Sequence, residues 1–279
     1  MRLANVNGRL STFVDGQVVD VEKESEGRFS SDPQAIFERW EEFARWAEGI
    51  GARGAASVPD EDLGAPAPAP RQVFAIGVNY RDHADEANTS VPDSPMVFTK
   101  FPTCLVGPGH PVRVVGETTD WEVELVVVIG RLAVDVRPED AWDHVAGVTV
   151  GQDLSERTLQ LAGPMPQFSL GKSLPGYGPM GPWLVTPDEL PDRDDLALAC
   201  RLDGETVQES RTSAMIFPVA SLIAHLSKAC PLLPGDVIFT GTPAGVGLGR
   251  TPPRYLRPGQ DLVSSIEGIG ELRTRLVGA

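Results

Sequence analysis

The stretch DWEVELVVVIG, Asp120 to Gly130, constrains this chain more than any other. It reads as one strand. Trp121, Val123, Leu125 and Val127 take one parity, and Glu122, Glu124, Val126 and Val128 take the other. Alternate side chains of a strand share a face, so Glu122 and Glu124 point the same way, with Cα atoms about 6–7 Å apart. The apolar run LVVVIG behind them predicts a strand entering a core. Two carboxylates on one face at the mouth of a buried strand repel each other and call for a positive partner. A divalent cation held by oxygen ligands is one answer. A strand end with two solvated glutamates is the other.

Composition narrows the partners. A formal charge of −15 argues against nucleic acid, which needs a basic surface, and against an anionic membrane. An acidic substrate stays open, because a metal and a few local cations reverse the field inside a pocket. The three cysteines, Cys104, Cys200 and Cys230, are far apart and form no CxxC. Neither a disulfide framework nor a thiolate metal site is expected, which fits a reducing cytoplasm. The first residues show no charged head before an apolar core, so no secretory signal is expected. No apolar run reaches membrane-spanning length.

The pattern along the chain predicts a mostly β, mixed α+β fold with few short helices. Residues 1–22 read as short strands, with Asp15-Gly16 turning a hairpin. A helix follows, with Asp32 as N-cap and Pro33 in its first position, carrying the stripe Ile36, Phe37, Trp40, Phe43, Ala47 and Ile50. Gly64 to Arg71, with three prolines, reads as a linker or surface strap. It separates a small N-terminal α+β domain, 1–70, from a catalytic domain, 71–279. Val73 to Tyr80 is an apolar strand, and RDHADEA after it is a helical turn or two that puts His83 and Glu86 on one face. Ala87 to Pro95 is polar and turn-rich, the makings of a lid over a site. Pro138 to Val145 reads as a short helix ended by Gly147, and Val148 to Asp153 as a strand ending in a carboxylate. Ser155 would cap a helix in which Arg157 and Gln160 share a face. Asp203-Gly204 turns a second hairpin, Pro218 to Ala229 is an amphipathic helix, and two strands close the chain around Gly268–Gly270.

Several of these segments together resemble one family, the fumarylacetoacetate hydrolase (FAH) family. They are GVNYRDHADE (Gly77–Glu86), FTK ending at Lys100, DWEVELVVVIG, QDLSERTLQ (Gln152–Gln160), GKS (Gly171–Ser173), GPMGPWLVTPDEL and GTPAGVG (Gly241–Gly247). The resemblance covers about Arg71 to Leu276. It implies a rolled mixed β-sandwich or barrel, a homodimer, and a Mg2+ or Mn2+ site on Glu122, Glu124 and Asp153. It places a catalytic pair on His83 and Glu86, and substrate-carboxylate contacts on Arg157, Gln160, Lys172 and Thr242, with Lys172 also in the catalytic group. Many members carry Asn where this chain has Gln152, which alters the surroundings of the third ligand. The segments QDLSER, GKS and GPWLVT look most like members acting on 2,4-diketo-3-deoxy sugar acids.

The activity implied is a divalent-metal-dependent hydrolase that cleaves a C–C bond in a 2,4-dioxo acid, an acylpyruvate or diketo sugar acid, through a metal-bound enolate. A 2-oxo acid chelates a cation through a carboxylate oxygen and the 2-oxo oxygen, where the electrons of the breaking bond come to rest. His83, oriented by Glu86, suits a general base near neutral pH. Decarboxylation of oxaloacetate or a related β-oxo acid, or isomerisation of a 2-hydroxydienoate, would use the same groups. A metabolite-binding dimer without catalysis is the reading from a different class. Each residue also has a plainer role open to it: His83 on a surface, Arg157 and Lys172 as solvated charges, Thr242 as a turn support. His110, His144 and His225 read as structural, packed or exposed, and Arg81 and Lys100 stay unassigned. The loop 241–247 lacks the GxxxxGK[ST] order and GVNY lacks GxGxxG, so neither a P-loop nor a dinucleotide site is expected. Its glycines read as letting the backbone come close to a ligand.

Overall fold

The computed structural model describes residues 1–278, and its architecture is mixed α+β with sheets predominating. The larger sheet is mixed and runs, edge to edge, Gln17–Asp20, Arg9–Val14, Arg2–Val6, Gly178–Val185, Val145–Gln152, Val123–Ile129, Val237–Phe239, Val73–Gly77 and Met96–Thr99. Leu63–Gly64 and Leu105–Val106 pair beside this path. The two ends are different strands, so the sheet rolls without closing, and the barrel half of the expectation does not hold. A second sheet orders Glu205–Arg211, Ala197–Leu202, Asp261–Ile266, Gly270–Val277 and Pro111–Arg113.

Val123–Ile129 lies in the middle of the larger sheet with all seven residues buried. Its two parities serve two cores. Val123, Leu125, Val127 and Ile129 pack with Leu198, Leu262 and Leu272 of the second sheet and Leu222 of the helix Val219–Ala229. Val126 and Val128 pack with Phe29, Phe37 and Phe43 of the N-terminal segment. Burial on both faces explains an unbroken apolar run where a one-sided strand would alternate. Each such side chain contributes about 1.5–3 kcal/mol by leaving water.

The strand is shorter than the sequence suggests. Its pattern breaks at Trp121 and Glu122, and Thr119–Asp120 pairs instead with Ser155–Glu156. The reason is Gln152, whose Oε1 accepts the Glu122 amide at 2.8 Å and takes the place of a ladder partner. Asp153 N then donates to Glu122 O at 2.9 Å, so two prospective ligand residues are joined through the main chain.

Three helices also differ from expectation at one end. Asp32 caps no helix. Its Oδ1 accepts the Gln34 amide at 2.9 Å in a local turn, and a 3-10 stretch, Ala35–Arg39, leads into the α-helix Trp40–Gly49. The apolar stripe still faces the core, with Ile36, Phe37, Phe43 and Ala47 buried and Trp40 and Ile50 packed at its edge. Pro138–His144 is a 3-10 helix, and Val145 already opens the next strand, so the helix ends short of Gly147. Ser155 does not cap Arg157–Gln160. Glu156 does, through an accepted Leu159 amide, because the Ser155 hydroxyl is committed to Asp153 O and Lys172.

Both hairpin turns form as read. Asp15-Gly16 and Asp203-Gly204 have positive φ at both positions, the mirror-image turn that suits strand twist. The proline-rich strap packs closely against the larger sheet: Leu63–Gly64 pairs with Asn5 and Val6, and Ala65, Pro66 and Ala67 are buried. The N-terminal strands belong to the same sheet as the central strand through pairing of Arg2 and Leu3 with Val185 and Leu184. Among the described residues, no helix is long and apolar enough to cross a membrane.

Candidate active site

Three segments converge where the central strand begins. Glu122 and Glu124 come from its N-terminal end, Asp153 from the end of Val145–Gln152, and Lys172 from the turn after Phe168–Gly171. One oxygen from each of Glu122, Glu124 and Asp153 lies within 4.8 Å of the others, and all three residues are buried. This is an oxygen-only donor set, which suits a hard divalent ion such as Mg2+ or Mn2+.

The charges around the cluster are unevenly shared. Lys172 Nζ donates to Glu122 Oε2 and Asp153 Oδ2, both at 2.7 Å, and to Ser155 Oγ at 2.9 Å. Arg157 Nη1 lies 2.7 Å from Glu122 Oε1. Burial alone would raise the Glu122 carboxyl, but Lys172 and Arg157 outweigh it and hold the group below its usual range. Glu124 fares differently. Burial first, then the Asp153 and Glu122 charges, push it well above the usual carboxylate value. Its hydrogen-bond donor is the Gly241 amide, at 2.8 Å. A buried carboxylate short of positive charge beside two others is what a divalent ion would relieve, so the residues present fit such an ion.

Lys100, unassigned in the sequence, stands behind Asp153. Its fully buried ammonium donates to Asp153 Oδ1 at 2.7 Å, to Tyr177 O at 3.0 Å and to Lys172 O. Burial disfavours its charge, yet Asp153 more than compensates and raises its affinity for the proton. Lys100 thus fixes one oxygen of Asp153 and leaves the other to the cluster. Lys100→Met is expected to cost about 3–5 kcal/mol, since it strands one oxygen of a buried carboxylate and two carbonyls. A urea unfolding midpoint for the variant checks this.

Glu122 of the cluster opens onto a cavity of about 410 Å3. Arg157, Gln160, Lys172 and Thr242 also line it, as do His83 and Glu86 from the helix Arg81–Glu86. Glu124 and Asp153 are buried next to Glu122 and are not part of this lining. His83 Nδ1 is 3.0 Å from Glu86 Oε2. An ionised carboxylate only accepts, so Nδ1 carries the hydrogen, and in the neutral ring Nε2 is the nitrogen left with a lone pair. Glu86 is itself held by the Gly245 amide, at 2.9 Å to Oε1. The other wall is apolar: Ile76, Val78, Met96, Phe98, Leu161, Phe168 and Leu248. Val78, at the strand end, has φ 52°, a left-handed conformation that is costly for a β-branched residue.

Two anchor residues are more occupied than their sequence roles require. The Thr242 hydroxyl donates to Val123 O at 2.9 Å and accepts from Gln208 Nε2 at 2.8 Å, so its proton is already spent. All three Lys172 protons face the cluster. Arg157 is paired as well: Nη1 also donates to Gln160 Oε1 at 2.8 Å, and buried Nη2 lies 2.7 Å from Asp120 Oδ2. Gln152 is fully accommodated: besides accepting the Glu122 amide, it donates to Ser264 Oγ at 2.8 Å. Arg81, His110 and His225 are exposed, and His144 Nδ1 lies 3.4 Å from Arg131 O. The segment between Ala87 and Met96, both in the cavity wall, is mainly exposed.

Asp120 and Gln208 were not singled out in the sequence. Gln208 joins Thr242, Pro243 O and the Val123 amide in one buried set of bonds. Asp120 shares the parity of Glu122 and Glu124, the one local sign that it belongs with them.

Comparison with known proteins fits this geometry. Residues 72–277 match the profile of the fumarylacetoacetate (FAA) hydrolase C-terminal domain. The mitochondrial oxaloacetate tautomerase fahd2 of Xenopus laevis is 42% identical over 215 residues, covering 76% of this chain and 67% of that protein. The crystal structure of a candidate HpcE protein from Mycobacterium smegmatis superposes with a TM-score of 0.95 at 54% identity, covering 100% of both chains. Maleylpyruvate hydrolase from Sphingobium sp. SYK-6, in complex with manganese(II) and pyruvate, superposes with a TM-score of 0.80 at 26% identity, again over 100% of both chains.

Proposed function

The chain belongs to the fumarylacetoacetate hydrolase family, and on that premise we propose that it moves a proton at C3 of a short 2-oxo acid, interconverting keto and enol forms, with oxaloacetate as the leading substrate. The observation that carries this reading is the His83–Glu86 pair, hydrogen-bonded at 3.0 Å in the wall of the cavity that Glu122 of the acidic cluster also lines. A divalent ion on Glu122, Glu124 and Asp153 would supply Lewis-acid polarisation of the 2-oxo group. The Arg157 guanidinium, in the cavity lining, would supply positive charge for the substrate carboxylate, and Gln160 holds it in place. His83 takes or returns the C3 proton at Nε2, while Glu86 holds the ring and favours the imidazolium that forms. The relative from Xenopus laevis, an oxaloacetate tautomerase, supports the substrate, and the pyruvate bound to the Sphingobium hydrolase supports the 2-oxo acid class.

One observation favours a second reading, cleavage of a C–C bond in an acylpyruvate or diketo sugar acid. The cavity of about 410 Å3 exceeds what a four-carbon acid fills, and its far wall is apolar. In that reaction His83 would activate water against the distal carbonyl. Decarboxylation or dienoate isomerisation would draw on the same enol-forming groups. The homodimer and a reducing compartment belong to the same proposal; light scattering tests the first.

The experiment supplies enol oxaloacetate, an acylpyruvate and a 2,4-diketo-3-deoxy sugar acid with Mg2+ or Mn2+. Loss of enol absorbance, pyruvate release and incorporation of 18O from water into the acid product are followed. Tautomerisation accelerates the first alone, and hydrolysis gives all three. If no enol signal decays faster than in buffer, both readings fail.

A further inference from the structure

We propose that Asp120 is a positioning residue that aims Arg157 and seats the loop 245–249 together, so that the anion anchor and the His83–Glu86 pair share one frame. The inference rests on reading the cavity as a 2-oxo acid site. The Asp120 carboxylate is fully buried and receives donors from three parts of the chain. Oδ1 accepts the amides of Trp121 at 2.8 Å and Gly247 at 2.7 Å. Oδ2 accepts the Leu248 amide and Arg157 Nε, both at 2.9 Å.

Each contact has a consequence in the cavity. With Nε committed to Asp120, the guanidinium turns Nη1 toward Glu122 and Gln160. With its amide fixed, Leu248 stands in the apolar wall, and the same loop presents the Gly245 amide to Glu86. The loop lies this close only because Gly247 lacks a side chain. A Cβ there would sit 2.6 Å from Asp120 Oδ1 and 1.8 Å from Arg254 O. Asp120 touches neither His83 nor the three prospective ligand carboxylates by any hydrogen bond, so it acts through Arg157 and the loop.

A merely structural pair would lower stability and leave the binding strength of the folded fraction alone. The test is calorimetric titration of oxalate, a 2-oxo acid mimic, into protein saturated with Mn2+. Asp120→Asn keeps the size and removes the charge, and is expected to weaken oxalate binding about tenfold or more. Arg157→Gln should weaken it similarly, and the double variant should bind no worse than Arg157→Gln alone, because the two act in series. If Asp120→Asn does not fold, Asp120→Glu keeps the charge but displaces it by a methylene, and should still weaken binding. Affinity within about twofold of the wild type for a folded Asp120 variant overturns the inference, as do effects that multiply in the double variant. Absence of oxalate binding by the wild type overturns the reading of the cavity as well.

Discussion

Glu124→Gln is expected to abolish turnover and to erase the rise in melting temperature that Mg2+ or Mn2+ gives the wild type. An ion that binds only the folded chain stabilises it by about 2.7 kcal/mol at a hundredfold excess over its dissociation constant, or roughly 5 °C in a chain of this size. The glutamine retains an oxygen for the Gly241 amide but cannot supply a charged ligand. In chelator the variant should come closest to the wild type at low pH, because burial first, then the Asp153 and Glu122 charges, raise the proton affinity of Glu124 well above the usual carboxylate range. The pH dependence follows in sign. A carboxyl whose folded value exceeds its unfolded one contributes stability below the usual carboxylate range and loses it as pH rises through the folded value. Chelated wild type should therefore lose stability in that window, and Glu124→Gln should lack that loss. Urea midpoints across pH, with and without Mn2+, measure both. An equal ion-dependent shift in the variant would remove Glu124 from the ligand set.

Much of this site was legible because strand parity is a local rule. Glu122 and Glu124 could be placed on one face from spacing alone, and the short helix put His83 and Glu86 together in the same way. What spacing could not show is set by partners far along the chain. The break before Val123 is made by Gln152, 30 residues on. Ser155 looked like a helix cap because nothing local reveals that Lys172 claims its hydroxyl. Lys100 stayed unassigned from sequence because its partners, Asp153, Tyr177 O and Lys172 O, are set by the tertiary fold. Asp120 has the right parity, but its meaning lies in Arg157 and the Gly247 and Leu248 amides. The open sheet, too, is a matter of which distant edges meet. Local pattern brings the candidate carboxylates together, and tertiary contacts decide how they are aimed.

His83→Ala separates chemistry from binding. Its ring bonds Glu86 and touches none of the acidic cluster by hydrogen bond, so removing it should leave Mn2+ and oxalate affinity within about twofold. Turnover should fall about 10²- to 10⁴-fold, the usual span for a positioned acid–base group. Glu86→Gln should fall less, because imidazole remains and loses only its orienting acceptor; it also weakens the hold on the Gly245 amide, so some change in KM is expected there. The two proposed reactions respond differently to His83→Ala. Ketonisation of an enol can borrow a proton from solvent and should keep a small rate that rises with added imidazole. Hydrolysis needs water activated against a carbonyl beside the apolar wall, so its residual rate should be lower still. Deuterium uptake at C3 measures the first and 18O incorporation the second, on one protein sample. Undiminished rates in both assays would leave the pair a structural part of the cavity wall and move the base elsewhere in the cavity.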